Sequence, residues 1–446
     1  MRNSSISSPY PYFGPGAIPE PEPGVLSVPN RTGLDALTFA LLWCFIFSVP
    51  FETSLMVPGL GTIARLFGIA VMPVALLAIL ARGWVRQLSI VHWCMVAFVS
   101  WSSLSYFWSV SRLRTQDRVF TEVQLLIIVL LIWQFCTSES SRLTLAKAYI
   151  FGTLVSCAST MYRYAAHQYT EYGRFSAEGF DPNDLSLTLA LSIPLSYYLF
   201  LRNRTALGWV WLIQIAFAML SCFLTASRMG AVVLILALSI VLITARQLSA
   251  KRRVGMAVLF VVAMMVCIGL IPKASWKRIS TLTTEVSHGT LNRRTEIWAG
   301  GVRMLGKKPI FGVGAGAFPI AVWPVLSHFD VDHAFVAHNT YLSVVTELGV
   351  FGLLLFLILL AALIATVLRM EPLARKAYGV MFLVWFVGVC VLSWEYRKPT
   401  WVVFALIAQA VGYAPKLPIF TPGRGRLPVL ARSRYVRTLG EQPARP

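Results

Sequence analysis

Of the chain's 446 residues, 57% are apolar and only 13% are charged, with a mean hydropathy of +0.68, a balance that excludes a water-facing globular surface. The formal charge of +20 does not point to nucleic acid, because the cations are scattered among hydrophobic runs instead of forming one basic face; membrane topology and anionic lipid account for them, and no nucleic-acid partner is expected. The seven cysteines are odd in number, lie within or at the ends of apolar runs and show no C-x-x-C spacing, so they read as small core residues and not as disulfides or metal ligands.

Residues 1–33 are rich in Pro, Ser and Gly, and no A-x-A site follows a short apolar stretch. They are expected to form a disordered cytoplasmic tail ahead of a retained first helix. Strand alternation is absent, and backbone inside a bilayer must satisfy its own hydrogen bonds, so the fold class is all-α: a polytopic helical bundle with about 12 transmembrane helices. The expected spans are Leu34–Val49, Ile63–Ala81, Ile90–Trp108, Val119–Phe135, Leu143–Tyr164, Leu185–Leu201, Leu207–Leu224, Met229–Thr244, Val254–Ile271, Tyr341–Leu368, Ala377–Trp394 and Trp401–Tyr413. They make residues 34–414 one membrane-embedded domain, followed by a basic cytoplasmic tail at 415–446. With the N-terminus inside, Arg82, Arg86, Arg202, Arg204, the 246–253 cluster, Arg369, Arg375 and Lys376 all fall on the cytoplasmic side, as the positive-inside rule requires.

The same topology leaves four segments outside: Ser109 to Asp117, Ala165 to Asp184, the turn at Thr225 to Arg228, and the long loop 272–337 between the ninth and tenth spans. Within that loop, Asn292 to Leu305 places Ile297, Trp298, Val302 and Leu305 on one side, with Gly306 and Pro309 as stop signals. The pattern predicts an amphipathic helix lying on the membrane surface.

Seven arginines, Arg112, Arg114, Arg118, Arg174, Arg228, Arg293 and Arg294, sit outside against the charge rule. A guanidinium fork matches phosphate bidentately, so arginines at the mouth of a bundle suit a membrane-borne phosphate or diphosphate. Arg112, Arg114 and Arg293, taken singly, read as snorkelling to lipid headgroups. Arg228 differs, because it stands in the tight turn between two apolar runs, where a charge suggests function.

Three histidines, His328, His333 and His338, fall in the stretch HFDVDHAFVAHN. A group titrating near neutral pH at a helix mouth can act as a general base, although a structural hydrogen bond is the commoner use. Asp330 and Asp332 form a D-x-D spacing that could hold Mg²⁺ or Mn²⁺, but three-residue matches are common and an ordinary solvated acidic loop is the plainer reading. The run Phe311 to Gly316 imitates a glycine-rich nucleotide loop without the flanking βαβ unit, so it reads only as tight turns.

Four segments together, GRFSAEGFDPNDLS (173–186), LTASRMGA (224–231), RRTEIWAGGVRMLGKKPIFGVGAGAF (293–318) and HNTYLSVVTELGVFG (338–352), resemble the O-antigen ligase and Wzy-type polymerase superfamily of bacterial envelope glycosyltransferases. They occur in that family's order and cover roughly the C-terminal half. The resemblance implies a GT-C-like helical fold in the bacterial inner membrane, with both termini cytoplasmic and a periplasmic active site. It implies a polyprenyl-diphosphate-linked (undecaprenyl-type) glycan as donor and an acceptor hydroxyl on a glycan or lipid-linked molecule, as in lipopolysaccharide or exopolysaccharide assembly. Neither nucleotide sugar, cofactor nor metal is implied. By motif, Arg174 and Arg228 would bind the diphosphate and His338 would take the acceptor's proton. Arg294, in R-x-x-x-W, would join the phosphate shell, with Asn339 supporting. The Asp330–Asp332 pair stands outside the shared pattern.

A secondary transporter also has about a dozen spans, with its substrate held near the midplane between repeats. Here the connection between the sixth and seventh spans is short, no two-half repeat is evident, and the largest loop is external and late, which favours the transferase. A non-catalytic component of a polysaccharide assembly machine is the third reading.

Overall fold

The computed structural model describes residues 33–170, 173–203, 205–281, 293–326 and 335–410, and the backbone of 416–418. The expected tails fall almost wholly outside these, as do His328, Asp330, Asp332 and His333.

Helices form at all twelve places where spans are expected. They are α1 (Gly33–Ser48), α2 (Ile63–Arg82), α3 (Ile90–Leu104), α4 (Arg112–Phe135), α5 (Glu139–Ala165), α6 (Pro182–Arg202), α7 (Val210–Leu224), α8 (Arg228–Thr244) and α9 (Ala250–Leu270). Three more follow in the loop, α10 (Lys273–Ser280), α11 (Arg294–Lys307) and α12 (Phe318–Leu326), and then α13 (Thr340–Leu368), α14 (Pro372–Gly388) and α15 (Lys398–Ala408). Among the described residues nine helices, α1–α4, α6–α9 and α13, are long and apolar enough to cross a membrane. At the other three places, α5 is interrupted by Arg142, Lys147 and Arg163, and α14 and α15 have only 17 and 11 residues. Two short antiparallel pairs, Met56–Val57 with Gly61–Thr62 and Trp84–Arg86 with Lys416–Pro418, are the strands among the described residues.

The helix starts are written locally. Thr62, Ser138, Asp181, Ser227 and Asn339 each precede a helix and accept backbone N–H groups of its first turn, satisfying donors that the helix itself cannot. The connections gather on two ends of the bundle. At one end the turn before α4 meets the loop after α11 (Val110 N to Val313 O, 3.0 Å), and the segment after α5 meets the end of α7 (Phe175 N to Leu224 O, 3.2 Å). At the other end Arg202 pairs with Glu139 and Arg252 donates to Asn203 O. The span α6 is the most enclosed, 89% of its apolar stretch being buried, and α9 the least, at 6%. Thus α6 is the axis of the core, and its first turn delivers residues to the end where the motifs read from the sequence converge.

The amphipathic helix of the long loop is present, but with a different buried face. Ile297, Gly300, Gly301 and Met304 are buried while Val302 is 59% exposed, so α11 does not rest on the face expected of it. It packs on α12 and α13 through its two glycines: a Cβ at Gly300 would lie 3.0 Å from Val322, and one at Gly301 3.1 Å from Phe318. A small outer core of Ile297, Met304, Val313, Ala317, Phe318, Val322, Leu326 and Ala337 results. It is joined to the bundle at Gly349, where α13 breaks with φ 73° and ψ −176°. There the carbonyl of Ile310 approaches so closely that no side chain could be accommodated.

Candidate functional site

The first layer of the site is made by two loops stitched together. Arg174, buried in the segment after α5, donates from Nε to the carbonyl of Thr225 at 2.8 Å and from Nη2 to Asn183 Oδ1 at 3.0 Å. Ser227, the cap of α8, donates to the same Asn183 oxygen at 2.8 Å. Below them the hydroxyls of Ser186 and Thr225 meet at 2.7 Å. Residue 226, an alanine, holds the left-handed conformation (φ 49°) at this junction, the kind of backbone strain that surrounding structure must maintain. The consequence is that Arg174 and Arg228, 54 residues apart in sequence, face one space.

Arg228 opens α8 and reaches to the end of α10. Its Nη2 donates to Thr281 Oγ1 at 2.9 Å and its Nε to Thr281 Oγ1 and Arg278 O, both at 3.2 Å. This brings Arg278 into the cluster. Burial lowers the affinity of Arg174 for its proton to about 10; Asp181 opposes that shift, and the positive charges of Arg278, Arg294 and Arg228 add to it. Burial also lowers Arg294, again against the pull of Asp181. Arg228, Arg278 and Arg294 therefore each lie within electrostatic range of Arg174, and the carboxylate of Asp181 acts on both Arg174 and Arg294. Arg174 stays protonated at neutral pH, and the repulsion among these cations favours an anion in their midst.

The second layer is His338. It too is left-handed (φ 47°). Trp298, one turn beyond Arg294 on α11, donates its indole N–H to Ala337 O at 2.9 Å. On the other side Asn339 Oδ1 accepts from Leu342 N at 2.9 Å, capping α13. Thr340 is fixed by its N–H to Val389 O and its hydroxyl to Leu392 O. Burial first, and then the charge of Arg294, push the His338 imidazole down to about 4 against the pull of Asp181. It is neutral at physiological pH and able to accept a proton.

All five residues singled out in the sequence, Arg174, Arg228, Arg294, His338 and Asn339, thus occur at one end of the bundle; the first four share the site and Asn339 serves as a helix cap beside it. Arg118 does not join them. It is neutralised, pairing with Glu347 at 3.3 Å and Glu395 at 2.9 Å and lying over the ring of Tyr396. Glu347 also accepts the N–H groups of Gly316 and Phe318, so the glycine run serves as a clasp that ties the loop after α11 to α13. Asp181, Asn183 and Arg278 were not singled out in the sequence. The DPN run that caps α6 was a legible signal for the first two; Arg278 carried none. Among the described residues no group of His, Cys, Asp or Glu is placed to hold a metal ion.

The apolar helical bundle defines an all-α polytopic membrane protein, with a cluster of one buried and three half-buried arginines at one end. Residues 213–357, from α7 to the middle of α13, match the family model described as O-Antigen ligase, which bears out the resemblance read from the sequence and implies an activity of the glycosyltransferase or ligase type. The matched segment contains Arg228, Arg278, Arg294 and His338, while Arg174 and Asp181 precede it. No curated protein matches the chain.

Proposed function

We propose that the protein transfers a glycan from polyprenyl diphosphate to an acceptor hydroxyl, as an O-antigen ligase or a polysaccharide polymerase. The observation that carries this reading is the convergence of Arg174, Arg228, Arg278 and Arg294 with a neutral His338. In this scheme His338 accepts the proton of the acceptor hydroxyl as its oxygen bonds to the anomeric carbon of the donor. The bond from that carbon to the diphosphate oxygen breaks, and the electron pair leaves with the diphosphate, where fixed guanidiniums stabilise the developing charge. Asp181 keeps the cluster from over-accumulating positive charge before the donor arrives. Metal is not required, because the arginines supply the charge that a cation would.

The charge asymmetry between the two ends of the bundle supports placing the site at the periplasmic face of a bacterial inner membrane. Arg82, Arg202, Arg252, Arg369 and Lys376 all lie at the end opposite His338. The twelve helices then all cross, with residues 272–337 outside and both tails inside.

The test is Arg228→Lys and Arg228→Ala in a membrane assay with lipid-linked glycan. An ammonium keeps the charge but cannot reproduce the planar fork, so the lysine variant should lose most activity. The alanine variant should lose about 30-fold or more, since truncating one partner of a buried charged interaction costs roughly 2–5 kcal/mol. A folded Arg228→Ala protein with normal turnover would overturn the assignment.

A further inference from the structure

A cavity of about 530 Å³ opens between α1, α2 and α4. Its floor is apolar, with Phe45 and Ile128, and its rim carries Arg65, Gln116, Asp117, Phe120, Gln124 and Lys398. Gln116, Phe120 and Gln124 recur every fourth residue and so form one stripe on α4. Gln124 lies about 18 Å along the helix from its start, where an amide turned toward lipid is costly unless something polar meets it. The side chains of Arg65, Gln116, Asp117 and Gln124 form no hydrogen bond or ion pair with another described residue.

The cavity adjoins the arginine site through a thin wall. Lys398 pairs with Glu52, while its neighbour Arg397 meets Asp184 on α6 at 3.5 Å. The segment Glu52–Ser54 backs directly on the loop that carries Arg174 and Asp181: Ser54 Oγ donates to Glu178 O at 2.8 Å, and Gly179 is pressed against the carbonyl of Thr53. The cavity and the loop of Arg174 thus lie on opposite sides of the Glu52–Ser54 segment.

We propose that this cavity binds the glycan headgroup of a lipid-anchored acceptor, its alkyl chain lying on the Phe45–Ile128 floor. Amides, a carboxylate and a guanidinium on the rim supply both donors and acceptors for sugar hydroxyls, and the exposed Phe120 ring offers a face for stacking. The charges around the cavity balance: Glu52 occupies Lys398, and Asp117 faces the rim with Arg65. That balance favours an uncharged polyhydroxyl headgroup over an anionic phospholipid. The role as acceptor site rests on the transferase reading; the binding itself does not.

The experiment therefore reads binding. The full-length protein, purified in a non-glycosidic detergent and placed in phosphatidylcholine vesicles, is labelled with a dodecyl maltoside carrying a diazirine next to its headgroup. Labelling should fall on α4 and around Met72 on α2, be competed by excess unlabelled dodecyl maltoside, and drop about tenfold in Gln116→Leu/Gln124→Leu, the cost of one or two lost hydrogen bonds. It should persist in Arg228→Ala, and thermal unfolding of the double variant should match the parent. Equal labelling by a diazirine phosphatidylglycerol, or undiminished labelling of the double variant, would overturn the proposal. Wild-type protein that labels as expected but shows no transfer from lipid-linked glycan would instead remove the transferase reading and leave the sugar site standing.

Discussion

The indole N–H of Trp298 donates to the carbonyl oxygen of Ala337 at 2.9 Å, and this bond ties the helix bearing Arg294 to the residue just before His338. Left-handed residues such as His338 cost of order 1–3 kcal/mol and persist only when their surroundings hold them. Trp298→Phe keeps the ring and removes the donor. It should lower turnover about tenfold while costing only about 1 kcal/mol of stability, read as initial rates in proteoliposomes beside thermal unfolding. Unchanged turnover would mean that Asn339 and Thr340 alone hold the histidine.

The clasp at Glu347 makes a different prediction. Its carboxylate meets Arg118 and the N–H groups of Gly316 and Phe318, so Glu347→Ala leaves both amides and part of a buried guanidinium unpaired. The cost should be about 3 kcal/mol, at the low end for a broken buried pair because Glu395 remains on Arg118, and Glu347→Gln should recover a good part of it. Chemical unfolding in bicelles decides: an alanine variant as stable as the parent would show that the clasp does not hold the outer core in place.

The apolar runs made the helices legible, because a span must be apolar along its length, and α2, α5, α6, α8 and α13 begin at a side chain that caps them. The face of α11 was not legible. Gly300 and Gly301 carry no hydrophobic signal, yet it is their lack of side chains that lets α12 and α13 approach. Arg118 looked like the other external arginines, and its neutralisation came from Glu347 and Glu395, more than 220 residues away in sequence. Arg174, Arg228, Arg294 and His338 were found because motifs marked them. Arg278 was missed because its place depends on a hydrogen bond between its own backbone and Arg228.

The D-x-D pair at Asp330 and Asp332 lies outside the described residues, and a site built on arginines has no need of a cation there. Replacing both with Asn should leave the initial rate within about twofold, and EDTA should not inhibit, since the phosphate charge is met by guanidinium forks. Loss of activity restored by Mg²⁺ or Mn²⁺ would make the acidic pair part of the machinery.

The most direct test of the account is the pH–rate profile of wild type beside His338→Ala and His338→Arg. Because burial and Arg294 hold His338 near 4, its neutral form is present throughout pH 5–8. The free-enzyme profile, kcat/KM for the donor, should then lack an inflection at the ordinary histidine value of about 6.5 and fall only toward pH 4. A bound diphosphate places negative charge beside the ring and raises its proton affinity, so the acid limb of kcat should lie at higher pH than that of kcat/KM. His338→Ala should lose about 10²–10⁴-fold in turnover, and His338→Arg should be as inactive. A rate that falls as pH rises from 5 to 8, or a His338→Arg protein that turns over like wild type, would contradict a neutral histidine as the proton acceptor.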